Sequence, residues 1–426
     1  MPVGGTRFPG SGVTGRRFAI GRQERAAGFS PRGPGPAELA RDRLPPFGVF
    51  QSRQAVAILI GGAGLLLAAC RTPDHPSPGE AIRSSNERHT ALFGNFELPR
   101  KLGSVENVNL QIPTISPDGS QILYLRTDRD YVPVMTLLGS PDPQDTPPEG
   151  TLAIWIRPVS GTAPGRRLSQ YRWAHSPVWS DSGRSIAYVV NEPPASFIVH
   201  VDPATGQEHL LGVPDAVNCL PRFDGDDQTL LFCSGDDAHG PFRVFRQALG
   251  EPEPAALTPE GMDCVLPVLS DPPGKVLCAR AEAGQLNWAW CSLEGSTDLA
   301  MQCGMSERPR LLETWAGITS PLSPDRRSFL AYDPQQERIT ACHVGDRRVA
   351  RHRQGSIAAC WLTSEAIALA TSEWVFVVNT ATGMSPGLFN GQWIPCRYVP
   401  AARRLLLLGK DSARRFSIVE VVFKPR

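Results

Sequence analysis

The sequence has no excess of charge of either sign. Its 43 Lys and Arg face 42 Asp and Glu, for a formal net charge of +1. The balance is uneven along the chain. Residues 1–69 hold nine Arg and three acids (Glu24, Glu38, Asp42), a net of +6, so the rest carries about −5. A mildly acidic body lacks the basic face that nucleic acid requires, and no nucleic-acid partner is expected. The apolar run 55–69 has 15 residues, short of the roughly 20 that span a bilayer. The eight His show no metal-ligand spacing. No cluster of acids, bases or ligands marks a catalytic centre, so neither metal nor cofactor is expected and a non-catalytic role leads. What the chain has in quantity is Pro (41) and Gly (40), which suit many short strands joined by turns.

The apolar run 55–69 contains three Gly, follows Arg53 and ends in Leu67-Ala68-Ala69-Cys70. A charged start, a short apolar core and small residues before a cysteine read as a signal peptide over 49–69. The ending looks like a bacterial lipobox. That resemblance implies diacylglycerol on the Cys70 thiol and cleavage before it; a short buried helix with an ordinary cysteine is the alternative. Residues 1–48 are rich in Gly, Pro and Arg without apolar periodicity, and read as a disordered or mis-called N-terminal extension. Residues 70–98 read as a flexible tether. Arg71 at the second mature position favours the outer over the inner membrane.

From about residue 99 to 426 the chain repeats. The clearest unit runs from Ser176-Pro177-Val178-Trp179-Ser180-Asp181-Ser182-Gly183 through two apolar runs to His209-Leu210-Leu211. It describes four short strands separated by polar turns. Taking Ser116, Ser180, Asp224, Ser270, Ser323, Thr363 and Val399 as equivalent gives steps of 64, 44, 46, 53, 40 and 36 residues. Most steps match a four-stranded propeller blade of roughly 40–50 residues. The expectation is an all-β propeller of seven blades, six being the alternative. The strand near 99–104 would complete the last blade and close the ring.

The Ser-Pro-Asp-Gly turns, complete in Ser116-Pro117-Asp118-Gly119 and near-complete in Ser323-Pro324-Asp325, resemble those of the WD-repeat-like propeller of the TolB family. The resemblance covers about residues 100–426 and implies a monomeric periplasmic binding scaffold. The α/β domain that precedes the propeller in that family has no room between Cys70 and Pro99.

Candidate chemistry is sparse. Gly383-Met384-Ser385-Pro386-Gly387 matches the spacing of a nucleophile elbow, but Pro386 has no N–H to offer an oxyanion. Asp224-Gly225-Asp226-Asp227 lacks the terminal Glu of a calcium loop and reads as a turn. Cys219/Cys233, Cys264/Cys278 and Cys291/Cys303 are each centred on an expected turn, so each pair could face across a hairpin as a disulfide; small buried side chains are the alternative. Trp173, His175, Asp263, Trp315 and Trp393 precede or open first strands, which places them around one mouth of the ring. Tyr131, in the long connection from Thr127 to Gly150, opens onto the same face. Aromatic residues there could hold an envelope protein or a glycan, or merely pack between blades. The function expected is a lipid-anchored envelope binding scaffold. A propeller enzyme using the central funnel (hydrolase, lyase or quinone-dependent dehydrogenase) is the alternative.

Overall fold

A computed structural model describes residues 93–107, 112–127, 151–237, 240–271, 274–282, 285–303, 318–333, 338–344, 349–383, 387–412 and 415–424. All belong to the second of the chain's two compact units, Arg71–Arg426. The signal peptide, Cys70, Tyr131, the connection 128–150, Trp315 and Ser385 lie outside the described residues.

The described chain is all-β. Its first strand, β1 (Arg100–Glu106), belongs to the last blade. Blade one is β2 (Thr114–Ile115), β3 (Gln121–Thr127), β4 (Leu152–Pro158) and β5 (Arg166–Arg167). Blade two is β6 (Ala174–Trp179), β7 (Ile186–Glu192), β8 (Ala195–Val201) and β9 (Glu208–Leu211). Blade three is β10 (Val217–Phe223), β11 (Thr229–Gly235), β12 (Arg243–Ala248) and β13 (Ala255–Ala256). Blade four is β14 (Cys264–Asp271), β15 (Lys275–Glu282), β16 (Gln285–Ser292) and β17 (Gly295–Cys303). Blade five holds β18 (Ile318–Ser320), β19 (Ser328–Asp333), β20 (Arg338–His343) and β21 (Val349–Gln354). Blade six is β22 (Ser356–Thr363), β23 (Ala366–Thr371), β24 (Trp374–Asn379) and β25 (Gly387–Asn390). Blade seven is β26 (Trp393–Val399), β27 (Arg404–Ser412), β28 (Arg415–Val422) and β1.

The strands form seven sheets built on antiparallel meanders of sequential strands, to which β1 and β18 are added at the edges of two. Six have four or more strands. The sheet β19–β21 has three, because β18 is hydrogen-bonded in parallel to β22 of the next blade, while the chain just after it meets β19 at the Leu322–Phe329 bridge and through the Leu330 N–H, which donates to Pro321 O at 2.8 Å. The middle strands are buried along nearly their whole length, as in β7 and β11, because each sheet is packed on both faces by its neighbours. That explains why these strands read as continuous apolar runs and not as strict alternation.

The ring is closed by β1, which runs antiparallel to β28 from Arg100 opposite Glu420 to Glu106 opposite Arg415. The closure starts earlier than the tether boundary expected at residue 98. Phe93 is buried and packs edge-on against Phe423 at 5.0 Å between ring centroids. The Lys424 N–H donates to Asn95 O at 3.0 Å, and the Glu97 N–H donates to Val422 O at 2.8 Å. Pairing the first strand with the last removes a free sheet edge. No described helix is long and apolar enough to cross a membrane.

The repeated turn owes its form to two side chains. Ser116 Oγ donates to Asp118 Oδ1 at 2.6 Å and accepts from the Gln121 N–H at 2.9 Å. Ser323 Oγ does the same with Asp325 Oδ1 at 2.6 Å and the Ser328 N–H at 2.9 Å. Gly119 takes φ +71, and Arg326 stands at the equivalent place with φ 59. A local Ser–Asp network of this kind satisfies the turn's backbone donors without a neighbouring strand.

Candidate functional site

The first strand of each blade faces the ring axis, and three consecutive ones share a distortion. Ser176, Leu220 and Leu266 have φ of 52, 53 and 54°, and each immediately precedes a proline. At each the pairing with the second strand slips, between His175 and Val178, Cys219 and Arg222, and Val265 and Leu269. Pairing in β26 also slips, between Pro395 and Arg397. Bulges bend a strand and re-aim the side chains that follow.

Two of the residues just past these slips are arginines. Arg222 and Arg397 each stand two positions before the first turn of their repeat, the place held elsewhere by Thr114, Val178, Val268, Pro321 and Trp361. Arg222 belongs to blade three and Arg397 to blade seven, which are not neighbours. Both nevertheless lie within the field of one carboxylate, Asp181 in the first turn of blade two. Only residues near the axis can meet that way. Burial pulls the Arg222 guanidinium down to about 10, opposed by Asp181, so it remains charged at neutral pH. Burial lowers Arg397 as well, opposed by the charge of Asp181. The Arg397 Nε is buried with no hydrogen-bond partner. Thr114 Oγ1, at the same repeat position, is likewise buried without one. This repeat position thus holds two arginines and a threonine hydroxyl, residue types that pair well with an anionic, oxygen-rich group.

The residues singled out from sequence fall differently. Trp173, Asp263 and Trp393 lie at or immediately before the starts of the first strands of blades two, four and seven. Each is engaged in holding its blade. The half-buried Trp173 packs on the cluster shared by blades one and two, and its carbonyl accepts from the Asn191 N–H at 3.0 Å. Asp263 Oδ1 accepts from the Phe242 N–H at 2.9 Å. Trp393 packs on the cluster of blades six and seven and donates through Nε1 to Asn390 O at 3.4 Å. His175 does not reach the mouth. It is fully buried, its Nδ1 lies 2.9 Å from Ser176 Oγ, and burial pushes it down to about 4, so it is neutral. It pairs in register with Val189, just ahead of the slip in β6.

The cysteine pairs also sort. Every described cysteine side chain is a free thiol. Cys219 does face Cys233 directly across β10 and β11. Cys264 faces Arg280 and not Cys278, because the bulge in β14 shifts the register. Cys291 faces Ser296 while Cys303 faces Leu286, because the turn falls at Leu293–Glu294, three residues before the expected centre. Asp224–Asp227 forms the expected turn, with the Thr229 N–H donating to Asp226 Oδ1 at 2.6 Å.

No family model matches the chain, and no curated protein matches it. Solved structures do. The chain is similar to an oligogalacturonate lyase from Vibrio parahaemolyticus, with TM-score 0.50 and 10% identity over 76% of this chain and 96% of that one. It is similar to TolB from Acinetobacter baumannii, with TM-score 0.33 and 14% identity over 71% of this chain and 64% of that one. It is also similar to the β-propeller domain of Cps50 (Swd1) from Myceliophteria thermophila, with TM-score 0.44 and 14% identity over 76% of this chain and 98% of that one. At such identities the likeness is one of fold.

Proposed function

We propose that this chain is a lipid-anchored cell-envelope binding scaffold whose funnel takes a carboxylate-bearing group of its partner, an envelope protein or an acidic glycan. The observation that carries the reading is the pair Arg222 and Arg397. Both occupy one repeat position in different blades, with Asp181 as the carboxylate whose charge both feel, and the Arg397 Nε has no protein acceptor. A buried charged donor without a partner is costly, and a ligand carboxylate would satisfy it with two parallel hydrogen bonds. Anchoring rests on Leu67-Ala68-Ala69-Cys70.

The test is capture. Immobilised mature protein should retain an envelope component or acidic oligosaccharide that Arg222→Met and Arg397→Met each release, with circular dichroism unchanged. Retention by both variants equal to the parent's would reject the funnel as the site. Cys70→Ala should abolish incorporation of labelled fatty acid; absence of label in the parent would reject the anchor. The same arginine pair also favours a second reading, catalysis on an acidic oligosaccharide. Steady production of unsaturated ends from oligogalacturonate, lost in Arg222→Met, would replace binding by a lyase activity.

A further inference from the structure

Blade four brings together three thiols. Cys264 opens β14, Cys278 lies in β15 and Cys291 in β16. All three are buried, and their sulfur atoms lie within 4.8 Å of one another. Cys264 Sγ donates to Cys291 Sγ at 3.8 Å.

Two ordinary explanations do not account for this. Cysteine as a small core filler needs no convergence of three sulfurs from three strands. A disulfide fails on backbone spacing. β14 and β16 are separated by β15, which puts their backbones about 9.5 Å apart, beyond the roughly 7 Å that a disulfide bridges. Cys264 and Cys278 are not opposed, since Cys264 faces Arg280, and diagonal partners stand about 7–8 Å apart at Cα. Cys278 faces Ala289, which makes Cys291 its diagonal neighbour as well.

Metal ligation does account for it. A d10 ion held by three thiolates at about 2.3 Å places the sulfurs about 4.0 Å apart. We propose that Cys264, Cys278 and Cys291 form a buried three-thiolate site for a thiophilic d10 cation, Cu(I). Thiolate sets select soft ions. Structural zinc takes four ligands, and no fourth Cys, His, Asp or Glu atom joins this cluster among the described residues. The surrounding Leu277, Trp288, Ala289 and Val276 are buried and apolar, which keeps water from completing another shell. Loading is a ligand exchange: the three S–H bonds break, three S–Cu bonds form, three protons leave to solvent and no electron moves. The resulting negative charge lies beside Arg280, which stands opposite Cys264 on the same face of the sheet.

The experiment is an anaerobic Cu(I) titration of the reduced full chain against a chromophoric Cu(I) chelator, followed by X-ray absorption on the loaded protein. One ion per chain, with a shell of three sulfurs at about 2.3 Å, is the expected result. Cys278→Ala should lose the ion, and Cys360→Ala, in blade six, should keep it. The sulfur count on the unaltered chain decides the matter even if Cys278→Ala does not fold. Retention of all copper by the chelator, equal binding by a folded Cys278→Ala, or a shell containing nitrogen or oxygen would each overturn the site.

Discussion

Arg326 of blade five reaches Asp224 of blade three, with Nη2 3.7 Å from Oδ1, across the turn of the intervening blade. Asp224 is almost wholly buried and gathers that turn as well. Ser270 donates to it through its N–H at 3.0 Å and also through its hydroxyl, and the Arg246 Nε donates at 3.3 Å. One carboxylate therefore ties three consecutive blades together on the first-turn face. Removing it in Asp224→Ala leaves two arginines and the Ser270 N–H without their acceptor. We expect a loss of about 2–4 kcal/mol in urea unfolding.

Gly225 lets this contact form. A Cβ there would stand 1.4 Å from Arg326 Nη1, and the backbone sits at φ +86. Gly225→Ala should cost about 1–2 kcal/mol, from backbone strain and displacement of the guanidinium. In an Arg326→Ala background the cost should fall to the strain alone. A double-mutant cycle by urea midpoint checks this; full additivity would show that the two do not interact.

The Ser–Asp turns make a second demand. Ser323→Ala removes a donor to Asp325 and an acceptor for the Ser328 N–H, and should cost about 1 kcal/mol. Asp325 is held below its ordinary range: burial raises it, but the Ser323 and Arg327 hydrogen bonds lower it by more. A carboxyl depressed in the folded state stabilises above its unfolded value of about 3.9 and loses that contribution as pH falls through its folded value. The destabilisation by Asp325→Asn should therefore be full at pH 7 and vanish in acid. Melting curves at both pH values test the sign.

His175 titrates in the opposite sense. Its folded value of about 4 lies below the ordinary 6.5, so the unfolded chain binds the extra proton first. Stability is unaffected by this group above about pH 6.5 and declines as pH falls from there to about 4. His175→Gln should flatten that part of the stability profile, measured as urea midpoints at pH 7 and pH 5. An unchanged slope would show that another group, such as the similarly depressed His200, governs the acid limb.

Arg397 makes a prediction about stability alone. Its buried Nε has no acceptor, so Arg397→Met exchanges an unsatisfied buried donor for apolar packing. The unliganded variant should unfold at the same or a higher temperature than the parent. A substantial drop would show that Arg397 is structural.

Much of this fold was legible because its determinants are local. Ser116, Asp118, Ser323 and Asp325 build their turns from residues at most five apart, so the motif is readable wherever it recurs. The pairing of β1 with β28 followed from counting: one blade was short of a strand and one strand was spare. The strand starts at Trp173 and Trp393 follow from the same topology, while the packing of these rings depends on neighbouring blades. The burial of His175 is set by the strands packed on it, which its place at the start of a first strand does not announce. Arg222 and Arg397 carried a usable signal, since they share a repeat position that is otherwise apolar or Thr, but the bearing of Asp181 on both exists only once the ring closes.

The sequence by itself determined the strand–turn repeat and the closure of the ring, because periodic burial and turn chemistry act over a few residues. Only the tertiary structure decided what meets what. Symmetric spacing put Cys264 opposite Cys278 and Cys291 opposite Cys303; a bulge and a turn displaced by three residues instead gathered Cys264, Cys278 and Cys291. Register is a property of two strands and their bulges together, and a shift of one or two residues redirects every side chain beyond it.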